Sequence, residues 1–291
     1  TSNQKIPTGQ IMAAPEHKHQ SKLKHIVCYS GGHSSALVAI EVVRKFGPAD
    51  VILVNHDMHI NVEDPDVKRF KRQVAEYLGL AITFVNYKNA SMDQFDVCVE
   101  AQAFKVDAGP ELCTSRLKTE PFMTWLRKNF AQDDAIIYYG FDAGETKRIT
   151  RRSGIMGVQG WKTAYPLAIG LRTIQSTNEI SIAPPLGYSQ FKHANCIGCL
   201  KAGWQHWYIV YCTRPDIWLK AKWAEEEIGY AIHHDDSGPV YLEDMEARFA
   251  IMKCAGVPQT EHIKHQTFWA AARKHIKIAT TPSLLPCECT F

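Results

Sequence analysis

What this 291-residue chain lacks narrows it first. No apolar run approaches the ~20 residues a bilayer-spanning helix needs, so no membrane partner is expected. The stretch from Thr1 to Lys24 is polar, carries scattered Lys and His, and has no apolar secretory core. Residues 1–23 therefore read as a flexible tail, and a cytoplasmic location is expected. An excess of one charge sign is missing too: 33 Lys and Arg against 30 Asp and Glu leave +3, which neither demands nor excludes nucleic acid. Internal repeats and low-complexity segments are absent. So are two common nucleotide loops, the Gly-x4-Gly-Lys-Ser/Thr of Walker A and the dinucleotide Gly-x-Gly-x-x-Gly.

Cysteine, by contrast, is plentiful. Nine in a chain with no export signal, and an odd number, argue against a disulfide framework and for metal or redox chemistry at some of them. Cys28 in an apolar strand and Cys254 on an apolar helix face read as buried small hydrophobes.

The most informative stretch is His25-Ile-Val-Cys-Tyr-Ser30-Gly31-Gly32-His33-Ser34-Ser35. A short apolar run ends in Ser-Gly-Gly, and a helical pattern starts at once. Glycines let backbone approach an anion, and the unpaired N–H groups at the helix start face the same point. A nucleotide polyphosphate is the ligand such a turn suits; the plain alternative is an ordinary strand–turn–helix corner.

The order of elements gives that turn a context. Strands are expected at 25–29, 51–55, 81–85 and 135–139, with helices at 34–46, from Asp64-Pro65 to about Leu78, about 92–104, and around Pro121. This alternation predicts a doubly wound, mainly parallel α/β sheet, Rossmann-like, over 24–189. Ligands of such sheets lie beyond the strands' carboxyl ends. The Ser-Gly-Gly turn, His56-Asp57 and Gly140-Phe-Asp-Ala-Gly-Glu145 each follow a strand, so all three should meet at one crevice. Asp57 and Glu145 are candidates for Mg²⁺ or, for Asp57, adenosine; the alternative is a solvated acid or an N-cap. Lys147, Arg148, Arg151 and Arg152 suit a polyphosphate, a nucleic-acid backbone or a plain solvated face.

From about Gly187 the chain turns rich in cysteine, tryptophan and histidine, with helices expected at Thr213–Ile228, Leu242–Cys254 and about 261–276. Residues 190–291 read as a C-terminal helical cysteine-rich appendage. Cys196-Ile-Gly-Cys199 is a knuckle whose spacing brings two thiolates onto one metal. Cys113, Cys212, Cys287 and Cys289 are candidates to complete the set, Cys113 in a basic setting that favours a thiolate. Structural zinc, a thioredoxin-like dithiol and an iron–sulfur cluster all remain open on spacing alone. Trp204, His206, Trp207 and Tyr208 read as an apolar shield around such a centre or as base-stacking groups; Trp218 and Trp223 read as packing residues.

Taken together, Ser30-Gly-Gly-x-x-Ser35, Glu111-Leu-Cys113-Thr-x-x-Leu117-Lys118-x-x-Pro121, Gly140-x-x-x-x-Glu145-x-x-Arg148 and Cys196-Ile-Gly-Cys199 resemble the phosphoadenylyl-sulfate (PAPS) reductase-like family of the PP-loop ATP pyrophosphatase superfamily. The likeness covers about His25 to Glu227 and includes the phage- and plasmid-borne members and the DNA-phosphorothioation sulfur-insertion enzymes. It implies a PP-loop nucleotide site at Ser30, Gly31, Gly32, His33, Ser34 and Ser35, with Asp57, Gly140 and Glu145 near it. It implies a 4Fe–4S cluster on Cys113, Cys196 and Cys199; the fourth ligand does not carry over, Cys289 or Cys287 being expected there or else an open iron that binds sulfide, with zinc as the alternative to the cluster. The implied activity is ATP-dependent, AMP- and pyrophosphate-forming sulfur transfer with Mg²⁺, in which Arg148 and Cys289 act catalytically. Implied partners are an adenine nucleotide, a nucleic-acid or small-molecule sulfur acceptor, a sulfur or electron donor protein, and a second copy of the chain. Reduction of adenylyl sulfate or its 3′-phosphate derivative to sulfite is the first alternative; a non-catalytic nucleotide-binding regulator with structural zinc is the second. Two departures stand out. His33-Ser34 replaces the usual Lys-Asp pair, and the chain's final Cys287-Glu288-Cys289 lacks the Gly-Leu-His of the reductases' mobile segment.

Overall fold

A computed structural model describes residues 23–86, 91–105, 111–185, 190–193 and 196–279. The tail expected over 1–23 and the cysteines at 287 and 289 lie outside the described residues, apart from Leu23. Strands β1 (Lys24–Cys28), β2 (Val51–Asn55), β3 (Ile82–Phe84), β4 (Ala135–Tyr138) and β5 (Lys162–Ala164) form one sheet in the order β3-β2-β1-β4-β5. Every pairing is parallel, with Ile26 beside both Ile52 and Ile137. A central parallel strand is buried on both faces, so it reads as an unbroken apolar run rather than an alternation. Ile26 and Val27 are both fully buried.

Helices cover both faces. On one, α1 (His33–Phe46) and α2 (Pro65–Tyr77) bury Leu37, Ile40, Phe70 and Val74 against Val27 and Leu53. On the other, α5 (Glu120–Asn129) and α6 (Thr146–Val158) bury Leu126 and Met156 against Ile26, Val54 and Ile137. Each such side chain contributes about 1.5–3 kcal/mol on full burial. The expected doubly wound α/β architecture is thus present, and the chain reverses direction across the sheet between β1 and β4. That reversal opens a crevice beyond their carboxyl ends. The α2 start is as read: the Asp64 side chain accepts the Asp66 N–H at 2.7 Å and Pro65 occupies the first turn.

A third buried cluster joins α3 (Gln94–Glu100) and α4 (Leu112–Thr114) to α7 (Trp204–Thr213), α8 (Pro215–Ile228), α9 (Leu242–Cys254) and α10 (His265–Ala279). Phe95, Leu117, Trp207, Trp218 and Phe249 share it, so apolar packing continues across position 190. A hairpin of β6 (His233–Asp235) and β7 (Gly238–Val240) separates α8 from α9. Among the described residues no helix is long and apolar enough to cross a membrane. Three expectations change. Helix α3 is shorter than 92–104: Asp93 caps it at one end, and Gln102 takes φ +52° beyond the other. Trp223 is exposed rather than packed. Cys254 is exposed and disulfide-bonded rather than a buried apolar thiol, because α9 turns its apolar side elsewhere, through Met245, Phe249 and Met252.

Candidate functional site

A cavity of about 720 Å³ lies beyond the ends of β1, β2 and β4, within the size range of small-molecule sites. Ser30, Gly32, His33, Ser34 and Ser35 line it, with His56 from the end of β2 and Gly140, Phe141 and Glu145 from the end of β4. The loop's shape follows from its glycines. Gly31 has φ +84°, and a Cβ there would sit 3.0 Å from Val67 Cγ1. At Gly140 an added Cβ would meet the Ser35 backbone nitrogen at 2.9 Å, so this glycine lets the β4 end lie directly on the first turn of α1. Gly32 caps α1 without a side-chain hydrogen bond, and the first turn carries no acid. The Ser35 Oγ donates back to the Gly32 carbonyl at 2.8 Å and lies 3.2 Å from the Ser30 Oγ. The α1 start therefore offers amides and hydroxyls to an anion.

His33 is not the missing loop cation. Its Nε2 accepts the Thr177 N–H at 3.3 Å, so the ring proton is on Nδ1. Burial, and then Arg172, hold its pKa below the usual value, which keeps the ring neutral. Positive charge comes from elsewhere. Arg148 and Arg152 line the cavity and lie over the Phe141 and Tyr139 rings at 4.4 and 5.4 Å. Arg148 also pairs with Glu145. The other Glu145 oxygen accepts the Asp142 N–H at 2.9 Å in a capping arrangement. Asp57 follows β2 as expected but is tied to Lys68 Nζ at 2.8 Å, and it is not among the residues lining the cavity. Beneath the loop, Lys71 is buried and bonded to both Glu63 oxygens at 2.9 and 3.0 Å.

The same cavity reaches Cys196. Cys113 and Cys199 are close enough to act on it electrostatically, and a lysine, Lys118, stands among the three. Burial pushes the Cys113 thiol up to about 12, and its cysteine neighbours oppose a second negative charge. The basic setting read from the sequence is real, since Lys118 pulls the other way, but burial outweighs it. Cys196 is raised by burial in the same manner. Cys196 first, against burial, and then Cys113, Cys199 and Glu63 hold the Lys118 ammonium above its usual range. Cys28, at the mouth of β1, also lines the cavity; burial pushes its thiol up to about 12. Cys212 lies on α7, its thiol raised by burial and in contact with Tyr208.

Lys118 reads from the sequence only as part of the basic setting of Cys113, not as a residue of the site. In an α-helix, residues five apart point roughly 140° away from each other, so Cys113 and Lys118 do not read as neighbours. Ser115–Thr119, however, forms a π turn, whose i→i+5 bonding brings residues five apart onto one face. The carbonyl of Lys118 then accepts from His56 Nε2 at 2.7 Å. A carbonyl cannot donate, so His56 is the neutral Nε2–H tautomer; burial holds its pKa down to about 4. Among the described residues, the one set of three potential ligand atoms within 4.8 Å of one another is His193, His206 and Glu261, not the three thiols. Comparison of the chain with family models, with characterised proteins and with solved structures gave no match.

Proposed function

We propose that the chain is an ATP-cleaving, iron–sulfur sulfur-transfer enzyme of the PAPS reductase-like kind, built on a PP-loop. One observation carries this reading: a single cavity is lined both by the anion-ready turn that leads into α1 and by Cys196, which stands beside Cys113 and Cys199.

Three thiols grouped around one buried lysine suit a cluster, in which each thiolate takes its own iron; zinc is the alternative that the same donors suit. Lys118 offsets the negative charge that three thiolates bring. Cys113, Cys196 and Cys199 would hold the cluster, its fourth iron either taken by Cys287 or Cys289 or left open. Left open, that iron would hold sulfide near the nucleotide.

The chain's own groups account for the rest. The α1 amides hold the triphosphate, the Ser35 hydroxyl bracing the turn through the Gly32 carbonyl, and Glu145 would share its Mg²⁺. An oxygen of the acceptor attacks the α-phosphorus. The bond to the bridging oxygen breaks, and pyrophosphate leaves with the electron pair while Arg148 offsets its charge. In the second step sulfur at the sulfide level bonds to the activated acceptor atom, and AMP leaves with the oxygen and its electron pair. No external oxidant is needed. Lys118 lines the same cavity and would attract the incoming sulfur anion.

The test is anaerobic purification with iron, sulfide and zinc analysis, followed by incubation with ATP and candidate nucleic-acid or thiolatable small acceptors. The expected result is a brown protein with ~4 iron that forms AMP and pyrophosphate in equal amounts. Colourless protein holding one zinc, or sulfite release from adenylyl sulfate without ATP cleavage, would overturn the reading.

A further inference from the structure

The knuckle that carries Cys196 and Cys199 has its backbone held on every side. Ile197 donates its N–H to the Val62 carbonyl at 2.8 Å, and Gln94 Nε2 donates to the Ile197 and Gly198 carbonyls at 2.8 and 3.2 Å. Gly198 has φ +71°, and a Cβ there would lie 2.7 Å from Ile217 Cγ2. The Gly198 N–H is held too. In a Cys-x-x-Cys turn that amide lies next to the thiolates and is their natural donor. Here it donates instead to His206 Nε2, at 3.1 Å.

His206 is buried on α7 and is itself held. Its Nε2 accepts, so Nδ1 carries the proton and donates to Glu261 Oε1 at 3.0 Å. Glu261 is fixed in turn: its N–H donates to the Gln190 carbonyl at 2.7 Å, and its Oε2 accepts the Lys192 N–H at 3.1 Å and lies 3.3 Å from His193 Nε2. The Gln205 side chain ties the same segment down, donating to the Thr260 and Ile263 carbonyls at 2.8 and 3.1 Å. Glu261 thus grips the approach to the knuckle directly and the knuckle itself through one imidazole.

We propose that His206, oriented by Glu261, is a positioning residue for the cysteine centre: its Nε2 captures the Gly198 amide and directs that N–H away from the Cys196 and Cys199 sulfurs. The proposal rests on the reading that these cysteines bind metal. An N–H aimed at a thiolate stabilises its charge and makes it a poorer electron donor, so removing that N–H keeps the sulfurs electron-rich toward iron. The neighbouring grouping of His193, His206 and Glu261 also resembles a metal site in ligand type. The Gly198 bond argues against that. A metal at His206 Nδ1 would require the proton on Nε2, where it would face the Gly198 N–H, donor against donor.

The test uses the full-length, metal-free protein and Co²⁺ as the probe. Nitrogen-15 NMR should find His206 as the Nδ1–H tautomer, and hydrogen exchange at the Gly198 amide should be slow. His206→Leu should lower the Co²⁺ affinity of the cysteines about 10- to 100-fold and move the thiolate-to-cobalt band to shorter wavelength, as the freed amide turns to sulfur. His206→Gln, whose side-chain oxygen can accept where Nε2 did, should restore most of both. Three outcomes would overturn the proposal: an Nε2–H tautomer, Co²⁺ bound by His206 itself, or a His206→Leu protein with unchanged melting, affinity and band. If the wild-type cysteines take up no Co²⁺, the functional reading fails separately. The exchange comparison then still decides the positioning role, since equal Gly198 exchange in wild type and His206→Leu removes it.

Discussion

At the residue scale, the loop's departure from the Lys-Asp pattern now has a physical content. His33 is neutral and spends its acceptor on the Thr177 amide, which ties the start of α1 to the 3₁₀ turn Thr177–Ile180. His33→Lys should therefore fail to raise ATP turnover, because the position faces a protein amide rather than a phosphate. His33→Leu leaves that N–H unpaired and should cost about 1–2 kcal/mol, read as a fall in urea-denaturation midpoint; an unchanged midpoint would show the bond to be unimportant. Lys118 carries the opposite expectation. Its ammonium is favoured, against burial, chiefly by Cys196, then by Cys113, Cys199 and Glu63. Lys118→Met should leave folding intact but lower AMP formation at least tenfold, about 1.4 kcal/mol, measured with saturating ATP. Equal turnover in the two proteins would remove Lys118 from the chemistry and leave it a packing residue.

At the element scale, close approach explains which turns tolerate nothing larger than glycine. The end of β4 lies on the first turn of α1 only because Gly140 has no side chain. Gly140→Ala should push that turn aside and weaken ATP binding by tenfold or more, about 1.4 kcal/mol, with the sheet itself unharmed, as circular dichroism would show. Gly198→Ala is a different fault: a left-handed residue with Ile217 and Phe95 in the way, costing about 2–4 kcal/mol. Much of this scale was legible in the chain. Asp64-Pro65, Gly79, Gly229 and the β-branched runs mark real boundaries because caps and strands are set by local chemistry. The third strand came out shorter than read, and β5, Lys162–Ala164, was not anticipated, since three residues carry no periodicity. The π turn at Ser115–Thr119 was hidden for another reason. Nothing in Ser-Arg-Leu-Lys-Thr marks a change of helical pitch, and the turn is held by where Cys113 and Leu117 must pack. The convergence of three strand ends on one cavity was readable from topology alone; the Glu261–His206–Gly198 chain was not, because it joins residues more than fifty positions apart that share no motif.

For the whole molecule, the buried ionisable groups set how stability responds to acid. Burial first, with neighbouring cations, holds His56 and His233 down to about 4 from 6.5, so both stay neutral in the fold where the unfolded chain protonates. Each contributes stability that is present above pH 6.5 and lost as pH falls toward 4. Glu225 has the opposite sign. Burial raises it from 4.5 to about 7, even though it accepts the Ile232 and Leu242 N–H groups, both at 2.8 Å. Its contribution is complete below pH 4.5 and disappears as pH rises through about 7. Between pH 6.5 and 4.5 the unfolded state therefore binds two more protons at the histidines and the folded state one more at Glu225. The net of one proton gives a slope of about 1.4 kcal/mol per pH unit. Unfolding free energy should fall by about 3 kcal/mol across that window, and the lowered values at His25, His33 and His193 act in the same direction. Glu225→Gln removes this opposing group, so its urea midpoints should fall about twice as steeply over the same pH range. Equal slopes in the two proteins would mean that Glu225 is ionised in the fold, held there by its two backbone donors, and that the acid response belongs to the histidines alone.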